Sequence, residues 1–304
     1  MRLLRPFIGI FVILSLLVSA VPGCQPEFQP RPYTDDMGRQ VEINEIPERI
    51  ISHVPGITEI LFALGLGERV VGVSDYCDHP EEAKLKEKVG GFWNPSVEKI
   101  VELRPDLVLT NGSDKQLMPQ LDSLGIACMV IDPKDIDGIF RNIELLGKVT
   151  GVEGRARKLI TDMKKDISRV VNQVKGAPGA RVIYVIDATD LNNPWTAGHG
   201  SFVDSFIAMA GGENIAAKAL APWVQFSIEE VVSSDPEIII LPAKHGTAFT
   251  SLEQLSGHPA WRETTAVKQE RIYIIDGDLV DRPGPRFVQG LEEIARFIHP
   301  ELFQ

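Results

Sequence analysis

Aromatic side chains that follow predicted strands are the residues of this sequence with the clearest chemical use. Tyr76, Trp93 and Trp195 each come after a predicted strand or turn, where the clefts of open α/β sheets form. Because Trp and Tyr offer wide, rigid faces, a large flat ligand can lie against them. Asp278 and Arg282 could hydrogen-bond peripheral amides or carboxylates of such a ligand. Packing in a hydrophobic core explains each aromatic equally well when it is taken alone.

Histidines offer a second chemistry, the binding of a metal ion. His53, His79, His199 and His245 each lie just after or near the end of a predicted strand, and neutral imidazoles suit zinc or manganese. None of them has helical-pair or Cys-pair spacing, so scattered polar loop residues are the simpler interpretation. One of them, or Cys77, could instead ligate the metal of a bound cofactor-like molecule. The sequence therefore predicts no metal site and no resident cofactor.

Motifs of the common enzyme classes are missing from the sequence. It contains no Gly-x-Gly-x-x-Gly after a strand, no phosphate-binding Gly-x-x-x-x-Gly-Lys, no Gly-x-Ser-x-Gly and no His-Glu-x-x-His. A hydrolase or a dinucleotide enzyme is thus disfavoured, and we expect a binding protein without catalytic residues.

Short β-rich runs alternate with amphipathic stretches along most of the chain. Predicted strands cover 50–54, 70–73, 107–110, 128–131, 182–185, 238–241 and 272–275. Predicted helices cover 58–64, 97–103, 117–124 and 136–146. This alternation predicts an α/β protein with parallel strands joined by helical crossovers.

A single long helix separates the two halves of this pattern. Apolar residues recur every three or four positions from Val152 to Lys175, which draws one stripe along a helix of about 35 Å. No glycine follows Gly154 within this stretch and no proline precedes Pro178, so we expect a rigid connection. The prediction is two Rossmann-like lobes joined by this helix, with a ligand cleft between them.

One segment occurs in both halves. Pro95–Leu109 matches Phe226–Ile240, and in each copy a Ser is followed two residues later by a Glu and nine residues later by a Pro. Ser96 and Ser227 are suitable helix N-caps, and an acidic first turn suits the helix dipole. Capping explains each copy alone, whereas the repetition indicates two related lobes that face a shared cleft.

The first residues have the order of a secretory signal. Arg2 and Arg5 precede an apolar run that is too short for a stable transmembrane helix, and small residues then lead to Cys24. A cysteine after Gly23 resembles the lipobox of bacterial lipoproteins, which implies a lipid anchor on Cys24 and an extracytoplasmic location. The prolines that follow suit a tether.

Charge and cysteine content exclude further classes. The formal net charge of −11 becomes −13 once the two signal arginines are removed, which disfavours binding to nucleic acid. With Cys24 acylated, Cys77 and Cys128 remain, and they could pair or stay as separate thiols. We predict a signal peptide at 1–23, the lipidated cysteine and linker at 24–35, lobes at 36–150 and 177–304, and the connecting helix at 151–176.

Several segments together resemble the class of periplasmic binding proteins that serve cobalamin, ferric siderophores and haem. These segments are Asp36–Arg39, Pro47–Ser52, Pro55–Gly65, Val73–Pro80, Asn94–Leu109, Gly211–Asn214 and Pro222–Ser227. Within that class the sequence is most similar to the cobalamin-binding branch. The resemblance implies a corrinoid cargo, with a ferric siderophore or haem as the alternative and zinc or manganese as the more distant one.

The resemblance also assigns residues to roles. It implies a ligand site formed by Pro55, Gly56, Tyr76, Phe92, Trp93, Asn111, Trp195, Trp223, Asp278 and Arg282. Asn111 stands where the branch has a Trp, and Phe92 and Trp93 compete for another Trp position. Glu98 and Glu229 are implied to dock onto an ABC transporter permease dimer, where charge fixes orientation more than it adds affinity. We expect the binding protein itself to be a monomer.

Overall fold

A computed structural model of the chain describes residues 30–244, 247–248 and 252–303. The predictions for the signal peptide, for Cys24 and for His245 lie outside the described residues. The described part forms two α/β lobes, which confirms the predicted fold class. The exact lobe boundaries stay predictions. Helices within these ranges are all too short or too polar to span a bilayer.

The N-terminal lobe contains a five-stranded sheet in which every neighbouring pair of strands is parallel. Its elements are β1 Arg31–Thr34, β2 Gln40–Ile43, β3 Ile50–Ser52, α1 Pro55–Ala63, β4 Val70–Val73, β5 Glu87–Lys88, β6 Gly90–Gly91, β7 Asn94–Pro95, α2 Val97–Glu102, β8 Leu107–Thr110, α3 Leu117–Ser123, β9 Cys128–Val130, α4 Ile136–Val149 and then α5 Glu153–Val174. The strand order is β5-β4-β3-β8-β9, and β3, β8 and β9 are fully buried, as strands covered on both faces must be.

The first strand corrects the predicted extent of the tether. Residues 31–34, which the sequence assigns to the linker, form β1 and pair with β2 in antiparallel register. Tyr33 is buried and donates a hydrogen bond to the carbonyl of Lys148, so this strand is attached to the lobe. Pro32, one of the prolines that suggest a linker, is compatible with a strand at a sheet edge, where its missing N–H group costs little.

The C-terminal lobe has a seven-stranded sheet. Its elements are β10 Arg181–Asp187, β11 Trp195–Ala197, α6 Phe202–Met209, β12 Glu213–Asn214, β13 Trp223–Gln225, α7 Ile228–Ser234, β14 Ile238–Lys244, β15 Thr247–Ala248, α8 Leu252–Gly257, α9 Thr265–Lys268, β16 Ile272–Asp276, α10 Asp278–Asp281 and α11 Phe287–Ile298. Strands β12, β10, β14 and β16 run parallel, while β11, β13 and β15 add antiparallel edges.

Helix α5 is attached to both lobes, as a connecting strut requires. It packs along α4 of the first lobe and α11 of the second. Near its start, Arg155 donates to the carbonyl of Leu64 at 3.0 Å, and further along Arg169 pairs with Glu292 of α11 at 2.7 Å. The observed helix, residues 153–174, lies within one residue of the apolar stripe at each end.

The hydrophobic core continues from one lobe into the other beneath the cleft. Phe140 of α4 lies 6.3 Å from Phe287 of α11, and Phe287 stacks on Phe206 of α6 with ring centroids 5.5 Å apart. These rings belong to one cluster of buried residues that includes strands of both sheets. Separating the lobes at this point would expose aromatic surface, so the packing favours a small hinge over a wide opening.

Candidate functional site

A cleft of about 440 Å³ lies between the lobes, at the carboxyl ends of the parallel strands of both sheets. Val54, Tyr76, Asn111 and Ile131 follow β3, β4, β8 and β9, and Asp278 follows β16. Ligands of open α/β sheets bind at this edge, and the volume falls within the range of about 300–1,000 Å³ for small-molecule sites. The topology therefore directs the loops of both lobes toward one shared space.

Eight of the ten ligand residues predicted from the sequence line this cleft. They are Pro55, Gly56, Tyr76, Phe92, Asn111, Trp223, Asp278 and Arg282. Trp93 and Trp195 are not among the lining residues, and their side chains are 75% and 42% exposed, respectively.

Stacked rings form the wall of the first lobe. Tyr76 and Phe92 lie with centroids 4.6 Å apart and planes 17° from parallel. His53 meets the edge of Phe92 at 6.2 Å, and its Nε2 lies 3.0 Å from the carbonyl oxygen of Gly91. Phe92 and Trp93 are the two turn residues of the short hairpin of β6 and β7, and Phe92 lines the cleft whereas Trp93 is 75% exposed.

The facing wall comes from the second lobe. Trp223 starts β13 and lies 6.4 Å from the ring of Tyr184, a buried residue of β10. Phe202 and Ile186 add apolar surface beside it. Trp195 belongs to the neighbouring strand β11, where it pairs with Gln225, and it does not line the cleft. The cleft thus places aromatic faces on both sides of a gap.

A close backbone contact and ion pairs join the lobes along one side of the cleft. A Cβ on Gly56 would lie 2.8 Å from the carbonyl oxygen of Pro283, so only glycine permits this approach. Glu59 of α1 accepts two hydrogen bonds from Arg286, at 2.7 and 3.0 Å, and its side chain is only 2% exposed. This pair fixes the first lobe to the segment that leads into α11.

Arg282 also makes a contact between the two lobes. It donates to Asp78 of the first lobe at 2.5 Å and pairs with Asp278 of its own lobe at 2.8 Å. Burial raises the pKa of the Asp278 carboxyl, and the nearby Arg282 partly opposes that shift. The guanidinium expected to face a ligand therefore already has two carboxylate partners.

Sequence reasoning missed several cleft residues, of which three are polar or aromatic. Asp132 follows β9 at the same sheet edge as Asn111, and it could have been found by reading one residue beyond every predicted strand. Asp281 directly precedes Arg282, and the buried hydroxyl of Tyr184 donates to it at 3.3 Å. Phe202 opens α6 and gave no separate signal, since an apolar first residue is usual for a core helix.

The repeated motif forms matching helix starts in the two lobes. Ser96 accepts a hydrogen bond from the backbone N–H of Lys99, and Ser227 makes a capping box with Glu230. Glu98 and Glu229 lie in the first turns of α2 and α7 and are exposed. Capping therefore accounts for the serines, whereas no intramolecular role in the described contacts accounts for the exposed position of both glutamates.

The described histidines do not converge. His53 is buried, and burial lowers its pKa, while His199 is 71% exposed and lies 3.6 Å from Asp204. His79 is exposed beside the ion pair of Glu59. Within the described ranges, no group of three or more His, Cys, Asp or Glu could hold a metal ion.

Both described cysteines are buried as free thiols. Cys77 contacts the hydroxyls of Ser74 and Thr58 at 3.2 and 3.1 Å. Burial raises the pKa of Cys128 to about 12, so this thiol is unreactive in the folded protein. The structure therefore favours two separate thiols over a disulfide.

Comparison with known proteins shows which family the chain is similar to. Residues 50–279 match the family model described as periplasmic binding protein. An uncharacterized ABC transporter substrate-binding lipoprotein of Bacillus subtilis (strain 168), YvrC, is 32% identical, and the alignment covers 97% of this chain and 98% of YvrC.

Two solved structures have the same fold and are identical to this chain at more than a quarter of the aligned residues. The periplasmic vitamin B12 binding protein BtuF of Vibrio cholerae has a TM-score of 0.70 at 28% identity, covering 85% of this chain and 99% of that one. The periplasmic haem-binding protein RhuT of Roseiflexus sp. RS-1, in its apo form, has a TM-score of 0.74 at 27% identity, covering 84% and 99%. The chain therefore belongs to the periplasmic binding protein family, whose members are the substrate-binding proteins of ABC transporters.

Proposed function

We propose that this protein is an extracytoplasmic lipoprotein that binds a corrinoid between its lobes and delivers it to an ABC importer. The observation that carries the proposal is the aromatic cleft: Tyr76 and Phe92 on one wall face Trp223 on the other. Rigid ring faces on both sides suit a wide macrocycle, which gains contact over its whole surface. The similarity to a vitamin B12 binding protein supports the same cargo.

Haem is the second candidate, and it has specific support from the similarity to RhuT. A porphyrin and a corrin offer similar flat faces, so the aromatic walls alone do not separate them. His53 donates from Nε2 to the carbonyl of Gly91 at 3.0 Å and is buried beside Phe92. That placement keeps the imidazole of His53 away from a haem iron in the cleft, whereas the phenol of Tyr76, which lines the cleft, could ligate that iron.

Delivery would use the exposed glutamates. Glu98 and Glu229 stand on equivalent helices of the two lobes, so a pair of permease subunits could accept one each. Lipidation of Cys24 would keep the protein at the membrane surface near that permease. YvrC, a relative over nearly the full length, is named a lipoprotein, which supports this location.

Equilibrium dialysis followed by visible absorption tests the cargo, because corrinoid, porphyrin and ferric chelate have distinct spectra. We expect cyanocobalamin or cobinamide to be retained in the protein compartment. The variant Trp223→Ala should weaken retention by more than about 1 kcal/mol, as loss of a stacked aromatic should. Trp93→Ala, the same change at a side chain outside the lining, is the matched control and should leave affinity within twofold. If the two variants changed the affinity equally, Trp223 would not be part of the ligand site.

A further inference from the structure

Two tryptophans of the chain are placed neither in the core nor in the cleft. Of the four tryptophans, Trp261 is buried and Trp223 lines the cleft. Trp93 in the first lobe and Trp195 in the second are exposed and lie outside the lining. A single exposed apolar side chain is common, so the surroundings of each tryptophan decide whether it belongs to an interface.

Each of these tryptophans adjoins the start of a helix that carries an exposed glutamate. Trp93 lies in the turn of the β6–β7 hairpin, and β7 leads directly into the N-cap of α2, the helix of Glu98. Trp195 pairs with Gln225, the last residue of β13, which ends two residues before the N-cap of α7, the helix of Glu229. Each lobe therefore places an exposed indole near the start of the helix that is expected to contact the permease.

Each helix also carries an exposed valine. Val101 and Val232 follow the glutamates by three residues and are 42% and 38% exposed. Residues three apart lie on the same side of a helix. Their neighbours Ile100 and Val231 are buried against the strands of their own sheets, so the valines are left on the outer side. We call these sets the docking faces, and they comprise Trp93, Glu98 and Val101 in the first lobe and Trp195, Glu229 and Val232 in the second.

Matching contacts hold the two helices on their lobes. The guanidinium of Arg49 donates to two carbonyls at the C-terminal end of α2, at 2.6 and 3.0 Å. That of Arg181 donates to two carbonyls at the C-terminal end of α7, at 3.0 and 2.8 Å. Just beyond these helices, Arg104 and Asp235 both adopt a left-handed backbone, with φ of 47° and 44°. The docking faces therefore have equivalent support, and a rigid face loses little conformational freedom when a partner binds.

The chemistry of the docking faces disfavours two occupants and fits a third. A second copy of the chain would bring carboxylate against carboxylate, and an anionic bilayer would repel Glu98 and Glu229. A protein partner with a cation beside apolar surface complements both the glutamate and its apolar neighbours. Because the two lobes present matching faces, the partner should offer two matching sites, as a dimer of permease subunits does.

We propose that each docking face binds one subunit of the permease dimer, with the tryptophan and the valine against apolar surface beside the cation that meets the glutamate. The indole supplies most of the contact energy, since tryptophan is enriched among the residues that dominate interfaces, while the carboxylate fixes orientation. This inference rests on the proposed delivery to an ABC importer. It reassigns Trp93 and Trp195 from the cargo to the partner.

Photo-crosslinking from the full-length lipoprotein in its own cells tests which partner covers the docking faces. The photoreactive residue p-benzoylphenylalanine replaces Trp93 or Trp195. Leu302 is the control position, because it is exposed beside α5, on the opposite side of the sheet from α7. Adducts are purified and identified by mass spectrometry. We expect positions 93 and 195 to give adducts with an ABC transporter permease subunit, and position 302 to give none.

Alanine variants measure what the indoles contribute to delivery. In cells that lack the native copy, Trp93→Ala and Trp195→Ala should each lower the initial rate of radiolabelled cyanocobalamin uptake by about tenfold, as loss of an interface tryptophan should. Leu302→Ala is the matched control and should leave uptake unchanged. Equilibrium dialysis of the three purified variants should give the cyanocobalamin affinity of the unaltered protein, which also verifies that each variant is folded.

The outcomes separate this inference from the proposed function. Adducts with the permease, but no retention or uptake of cyanocobalamin by the unaltered protein, would overturn the corrinoid proposal and retain the docking faces. Normal uptake by both tryptophan variants, or adducts only with a second copy of the chain or another class of protein, would overturn the docking faces and leave corrinoid binding intact. Loss of cyanocobalamin affinity in either tryptophan variant would place that residue in the ligand site and equally overturn the inference.

Discussion

The ion pair between Glu59 and Arg286 offers a sharp test of how the lobes are held together. Glu59→Gln keeps the size and shape of the side chain but removes its charge. Of the two hydrogen bonds, at 2.7 and 3.0 Å, Arg286 would keep one, to the amide oxygen, and would lose the other, because the new amide N–H₂ would face its own N–H groups. Because the glutamate lies in the first lobe and the arginine in the second, the change acts on the boundary between them.

The expected loss of stability follows from burial. Removing one partner of a buried pair costs about 3–5 kcal/mol. Here Glu59 is 2% and Arg286 16% exposed, and Asp278 and Asp276 also stabilise the charge of Arg286, so we expect the lower end, about 3 kcal/mol. With a urea dependence of about 3 kcal/mol per molar, the unfolding midpoint should fall by about 1 M.

Urea unfolding followed by circular dichroism measures this loss, and an exposed ion pair provides the control. Asp162→Asn breaks the contact with Lys158 on α5, where the side chains are 54% and 77% exposed. That variant should lose about 0.5 kcal/mol or less, as exposed pairs do. If Glu59→Gln were no less stable than Asp162→Asn, the pair would not hold the lobes together and the reasoning would be refuted.

Three further predictions address docking, closure and thiol chemistry. Glu98→Arg combined with Glu229→Arg should abolish uptake in cells and leave ligand affinity intact, and a loss of binding would place these residues in the site instead. Solution scattering should show little compaction when ligand is added, since α5 and the shared core join the lobes; a large decrease in the radius of gyration would contradict this. At pH 8, Cys128 should react with a thiol reagent only after unfolding, because burial raises its pKa to about 12, and rapid labelling of the native protein would argue against that environment.

Local patterns were sufficient to predict the architecture. The stripe of apolar residues that defines α5 repeats every three or four positions, and the strands are short β-rich runs, so both are visible within a window of the sequence. The sequence did not predict β1, because Pro30 and Pro32 indicate a tether and the strand forms only by pairing with β2.

The site was predictable where a side chain directly follows a strand, as Tyr76 and Asn111 do. The site was harder to predict where the direction of a side chain depends on a hairpin or on contacts with the other lobe. Phe92 and Trp93 are neighbours, and only the β6–β7 pairing decides which one enters the cleft. The Glu59 to Arg286 contact joins residues 227 positions apart, and such a pairing leaves no local pattern.

A crystal structure of the protein grown with a corrinoid would test the central proposal most directly, because cobalt gives an anomalous signal that locates the metal without interpretation of the ring. The proposal predicts a cobalt peak between the lobes, with the ring system lying against Tyr76 and Trp223. A cobalt peak on the outer surface of either lobe, or an empty cleft at saturating corrinoid, would contradict it.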